Sequence, residues 1–128
     1  MTRRASSGRQ AGTRRSVCPI ACTLDLVGDR WTLLIVRDLF FGKHRFSEFL
    51  ESDEGIKTNI LTERLKRLER SGLVDRSRYQ EHPPRHEYHL TEAGRDLAPM
   101  VKAIFAWGCA HLPGVSRLLP LPPKWKTG

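Results

Sequence analysis

A chain of 128 residues has room for one domain with one hydrophobic core, and at this size pairing with a second copy would help to stabilise it. The hydrophobic share, 39%, suits a folded domain, and no apolar run approaches the length of a membrane span. The net charge of +8 sits mostly at the ends: residues 1–16 carry five arginines and no acid, residues 113–128 three bases and no acid.

In chain order, residues 1–16 are Arg, Ser, Gly, Thr and Gln with almost nothing to bury, which predicts a disordered basic arm. Arg3 and Arg4 are followed by no apolar stretch, so export is not expected. The three cysteines, Cys18, Cys22 and Cys109, form no disulfide framework and fit reduced thiols in the cytoplasm. A first helix is expected from Cys18 to Val27, opened by Pro19 and ended by Gly28. Asp29 then stands as N-cap for a helix over Arg30–Leu39, with Trp31, Leu34, Ile35 and Leu39 on its core stripe. After Gly42, Phe46, Phe49 and Leu50 mark a short helix over Ser47–Glu51.

The stretch Thr58–Ser71 has the most regular periodicity. Leu61, Leu65 and Leu68 form an apolar seam, and Asn59, Thr62, Glu63, Lys66 and Arg70 fall on the opposite side. Ser71-Gly72 ends this helix through a left-handed residue. Leu73–Tyr79 and Arg85–Leu90, separated by Gln80-Glu81-His82-Pro83-Pro84, predict one hairpin. Thr91 is a good N-cap for a last helix reaching about His111, kinked or divided by Pro99, and residues 113–128 predict an irregular, proline-containing basic tail. Residues 17–54 carry a net charge of −3 and residues 55–90 a net +3. A basic segment between basic ends points to a polyanion.

Short helix, tight turn, amphipathic helix and hairpin is the order of a winged helix-turn-helix, mainly α with a small β-hairpin. The helix from Thr58 would enter the major groove of double-stranded DNA, with Thr58, Asn59 and Thr62 as candidate base readers. Lys57 and Lys66 are candidate phosphate contacts, and so are Arg45 before the motif and Arg78 and Arg85 on the hairpin. Lys66, Arg67 and Arg70 fit either a solvated face or phosphate contact, with Glu63 placed to pair with Lys66 or Arg67, and Arg64 reads as structural.

The residues Cys18-Pro19, Leu26-Val27-Gly28-Asp29-Arg30-Trp31 and Arg45-Phe46-Ser47-Glu48 resemble those of the HxlR-type regulators, relatives of the MarR group. The resemblance continues through Ile56, Leu61-Thr62, Leu65, Leu68-Glu69 and Gly72-Leu73-Val74. It runs on through Pro83-Pro84, Glu87-Tyr88, Leu90-Thr91, Gly94, Pro99 and Trp107, covering residues 18–112 in order. It implies a domain over 17–112, a homodimer built from the first and last helices, and binding to an inverted repeat near a promoter. Repression is implied more often than activation, with no enzymatic activity and no cofactor. Asp29-Arg30 replaces the usual Gly-Lys, Lys57 stands where a capping residue such as Ser is common, and His86 replaces a small or branched apolar residue. In some relatives the first thiol senses oxidants, which makes Cys18 a candidate redox switch and an oxidant or small molecule a candidate effector. The rival reading is an inert cysteine at a dimer contact. A zinc site of Cys18, Cys22, Cys109 and His111 matches known ligand spacings poorly. The alternative function is a winged-helix protein-interaction module that never touches DNA.

Overall fold

The computed structural model describes residues 16–115, so the expected arm over 1–16 and tail over 113–128 lie outside it except at their inner ends. Among the described residues the chain forms α1 (Pro19–Val27), α2 (Thr32–Phe40), α3 (Phe46–Leu50) and α4 (Thr58–Arg70). Strands β1 (Val74–Gln80) and β2 (Arg85–Leu90) follow, then α5 (Glu92–Arg95) and α6 (Ala98–His111). This is a winged helix-turn-helix: α3 and α4 make the helical motif and the β1–β2 hairpin makes the wing.

Pro19 opens α1 with the backbone angle that a first turn needs. The start of α2 falls two residues later than expected. The Asp29 carboxylate accepts the amides of Trp31 and Thr32 at 3.0 and 3.2 Å, and this capped turn precedes the first α-helical residue. The buried stripe also differs. Thr32, Ile35, Val36 and Leu39 face the core, while Trp31 and Leu34 are half-buried at its rim. Asp38 is buried with them because Arg37 and Ser52 supply its hydrogen bonds.

The short helix α3 begins one residue earlier than expected. Glu48 reaches back to accept the amides of His44 and Arg45 at 2.7 and 2.9 Å, so its carboxylate satisfies donors ahead of the helix. Phe49 is its buried residue, and Leu50 is exposed.

Leu61, Leu65 and Leu68 of α4 are all buried, as the period predicts. Gly72, at φ 79°, supplies the left-handed residue after the helix. Around it Leu73 N–H donates to Leu68 O and Gly72 N–H to Glu69 O, the paired bonds of a Schellman stop. The chain turns sharply there, so the wing starts beside the end of α4.

The strands pair antiparallel from Val74↔Leu90 to Arg78↔His86, with an irregularity between Arg78 and Gln80. A bridge between Arg45 and Glu87 and a bond from Tyr88 N–H to His44 O (2.8 Å) fasten β2 to the α2–α3 connection. The long last helix is divided: α5 ends at Arg95 and α6 restarts at Ala98 with Pro99 in its first turn. Thr91 caps α5 as expected, accepting from Gly94 N–H at 3.1 Å and donating to Gly72 O at 2.7 Å.

The core joins Ile35, Val36 and Leu39 of α2, Phe49, Ile56, the three leucines of α4 and Val74. Of α1 only Val27 is buried, and α6 buries no residue, although Val101 packs against the core edge. Ile20, Leu24, Ile104 and Trp107 are exposed on these two helices. Among the described residues no helix is long and apolar enough to cross a membrane.

Candidate nucleic-acid interface

With its leucines turned inward, α4 presents Asn59, Glu63, Lys66 and Arg70 to solvent along one stripe, and Lys57 and Thr58 at its start. Thr62 lies in the same stripe, and its hydroxyl donates to Thr58 O at 2.9 Å, leaving its lone pairs open to a donor. Lys57, Asn59, Lys66 and Arg70 have no side-chain partner among the described residues, and neither has Arg85 on the wing. These groups can be desolvated by a ligand without first breaking an internal bond.

The other arginines of this region have partners within the protein. Asp29 binds Arg64 Nε at 2.8 Å and Arg67 Nη2 at 2.6 Å, and Arg67 also donates to Thr32 Oγ1. Burial pushes the Asp29 carboxyl up. Hydrogen bonds from Thr32, Arg64 and the Trp31 amide, with the nearby charge of Arg67, outweigh it and hold the group well below the usual carboxylate range. Glu63 therefore pairs with Arg64, where Lys66 or Arg67 was expected, because Arg67 is taken up by Asp29. Arg45 lies 3.9 Å over the Tyr79 ring and 3.1 Å from Glu87, which ties it to both strands of the wing. Arg78 is paired with Glu81 at 3.1 Å, and Arg76 lies 3.6 Å from Glu69 at the end of α4. His44 stacks on His89 with ring centroids 4.2 Å apart.

The model of the family described as HxlR-like helix-turn-helix matches residues 26–115, which span every element from the end of α1 to the end of α6. This chain belongs to the HxlR-like family. It is 50% identical over 90 residues to the uncharacterized HTH-type transcriptional regulator Rv3095 of Mycobacterium tuberculosis, covering 70% of this chain and 56% of that one. The chain thus spans little more than half the length of its mycobacterial relatives. With the HTH-type transcriptional regulator YdeP of Bacillus subtilis it shares 38% identity over 101 residues, 79% of each chain. The solved structure of the redox regulator HypR in its reduced form is similar at a TM-score of 0.70 and 38% identity, over 75% of this chain and 95% of that one.

In this HxlR-like domain the thiols belong to α1 with its N-cap and to α6, none to α4. Cys18 is exposed immediately before α1, and Cys22, one turn on, donates from Sγ to Ser16 O at 3.2 Å. Among the described residues no three metal-ligating side chains gather into a site. Trp31, Phe46 and Tyr88 pack against the core, whereas Trp107 is 59% exposed on α6. Two bonding patterns that organise the site have no signal in the sequence: Glu48, a motif residue, reaches back to the amides of His44 and Arg45, and Asp29, an expected N-cap, also gathers Arg64 and Arg67 from more than thirty positions away.

Proposed function

We propose that this member of a helix-turn-helix regulator family binds double-stranded DNA sequence-specifically, as a homodimer on an inverted-repeat operator in the cytoplasm, and acts as a repressor. The observation that carries this reading is the division of cations around α4. Lys57, Lys66, Arg70 and Arg85 are exposed and have no side-chain partner among the described residues, and Asn59 and Thr58 stand beside them at the helix start, where groove-entering helices carry their base readers. Free cations can release counterions from phosphates, and free amide and hydroxyl groups can pair with base edges. The domain proper is residues 17–112, with the basic arm and tail as flanking polycations. For the homodimer the support is the apolar surface left on α1 and α6, where Ile20, Leu24, Ile104 and Trp107 are each more than half exposed.

Cys18 is the entry point for an oxidant or electrophile. It is exposed immediately before α1, the helix that carries the exposed Ile20 and Leu24. A disulfide or adduct there would alter how two copies pack and hence the spacing of their reading helices.

Selection from random duplexes followed by footprinting tests the reading. Two symmetric half-sites about 10 bp apart, or a small multiple of that, are expected. Protection without sequence preference, or no protection at low salt, would show a protein-interaction module instead.

A further inference from the structure

We propose that Asp29 is a positioning residue for DNA recognition, a two-oxygen clasp that fixes the roll of α4 against α2 and keeps Arg64 and Arg67 off the DNA-facing surface. The proposal rests on the DNA-reading function proposed above. Five donors converge on this one carboxylate: the amides of Trp31 and Thr32, the Thr32 hydroxyl, Arg64 Nε and Arg67 Nη2. The first three belong to the opening turn of α2 and the last two to the middle of α4, so one rigid group bridges both helices. Arg64 and Arg67 are one turn apart on one flank of the leucine seam, so a roll of α4 that carries this flank away from Asp29 breaks both ion pairs. Apolar packing of Leu61, Leu65 and Leu68 tolerates small rolls, because dispersion contacts are weakly directional. Charge-assisted hydrogen bonds to a fixed carboxylate are directional and add what the seam lacks. Rolling α4 would swing Asn59 and Thr62 across base edges, where an error of about 1 Å breaks a bidentate contact.

The clasp also sorts cations. Arg64 and Arg67 lie on the same helix as Lys66 and Arg70, which have no side-chain partner among the described residues, and unrestrained guanidiniums there would add affinity for any phosphate backbone. Held by Asp29, they add none, and the ratio of specific to non-specific binding rises.

Asp29→Asn isolates this role, since Asn caps a helix as well as Asp but offers one acceptor oxygen and no charge. Affinities of the full chain are measured for its selected duplex and for a scrambled duplex of equal length, across a salt series, below the melting temperature of each variant. The expected result is a fall of about tenfold or more in the specific-to-scrambled ratio, with the salt dependence on scrambled DNA equal to or steeper than that of the native chain. A ratio within about twofold of native overturns the proposal. If Asp29→Asn prevents folding, Arg64→Gln and Arg67→Gln take its place. Each should lower the ratio while leaving the salt slope unchanged. A slope reduced by about one would mean that the arginine touches phosphate directly, and overturns the proposal. If the native chain prefers no sequence, the DNA-reading function fails and the clasp has nothing to position. If the native chain is selective and the variants match it, the clasp alone fails.

Discussion

Asp29 carries its charge in a cluster that is still 23% open to water, so its ion pairs are screened and their loss is modest in stability terms. Asp29→Asn should cost about 1 kcal/mol at pH 7. The sign with pH follows from the lowered carboxyl pKa. A carboxylate depressed in the folded state stabilises fully above its unfolded value of about 3.9 and loses that contribution as pH falls toward the folded value. Urea melts should therefore show the gap between native and variant narrowing below about pH 4; a gap unchanged down to pH 3 would mean that charge is irrelevant to the cluster. Asn59 makes a different contribution. Exposed and without a side-chain partner among the described residues, it should be replaceable by Ala with little change in stability. In DNA selection Asn59→Ala should change the preferred base at one position of each half-site, at about 1–3 kcal/mol. An unaltered preference would place the reading face elsewhere on α4.

Elements meet most tightly where the wing returns to the helices. Gly94 of α5 is buried, and a Cβ there would collide with the Leu73 carbonyl oxygen and crowd the Leu90 side chain. Neither backbone can yield easily, because Leu73 N–H is fixed to Leu68 O in the helix stop and Leu73 O accepts from Thr91 N–H. Gly94→Ala should cost about 2–4 kcal/mol, measured by thermal or urea unfolding, as overpacking against backbone does. The wing's own charges divide in the same way as those of α4. Arg85→Ala should weaken binding to all duplexes alike and reduce the salt slope by about one, since no internal pair is lost. Arg45→Ala should act by a different route: it removes the ring contact with Tyr79 and the Glu87 pair, so the wing loosens as well. Helix, turn and hairpin were legible from local pattern, including the break at Pro99 and the Thr91 cap, because each depends on residues within a few positions of one another. The start of α2 and the single inward side chain of α3 were not, since both depend on a carboxylate reaching along the chain and on which neighbour fills the core.

At the level of the whole molecule, α1 and α6 leave apolar surface that one copy does not cover. Ile104→Glu and Trp107→Glu fall at positions 53% and 59% exposed, so the fold of each copy should survive. Both should shift the chain to monomer in sedimentation and lower affinity for a two-half-site duplex, while a single half-site duplex is bound as before. A variant that still sediments as a dimer would move the interface elsewhere. Cys18→Ser gives the matching test of regulation: diamide should change the DNA affinity of the native chain and leave the Ser variant unaffected.

The sequence by itself determined the architecture and the family. The leucine seam of α4, the Gly72 stop, the hairpin and the Thr91 cap are local patterns whose physics is complete within a few residues, and the family motifs lie in the same segments. It also determined which side of α4 is polar. Tertiary structure decided which of those basic groups have partners among the described residues. Arg45, Arg64, Arg67 and Arg78 have the same side chain as Arg70 and Arg85, and pattern alone cannot distinguish them. Only folding brings Asp29 to Arg64 and Arg67, and Glu87 to Arg45, across more than thirty residues of chain. An ion pair is set by distance in space, and local sequence carries no measure of it.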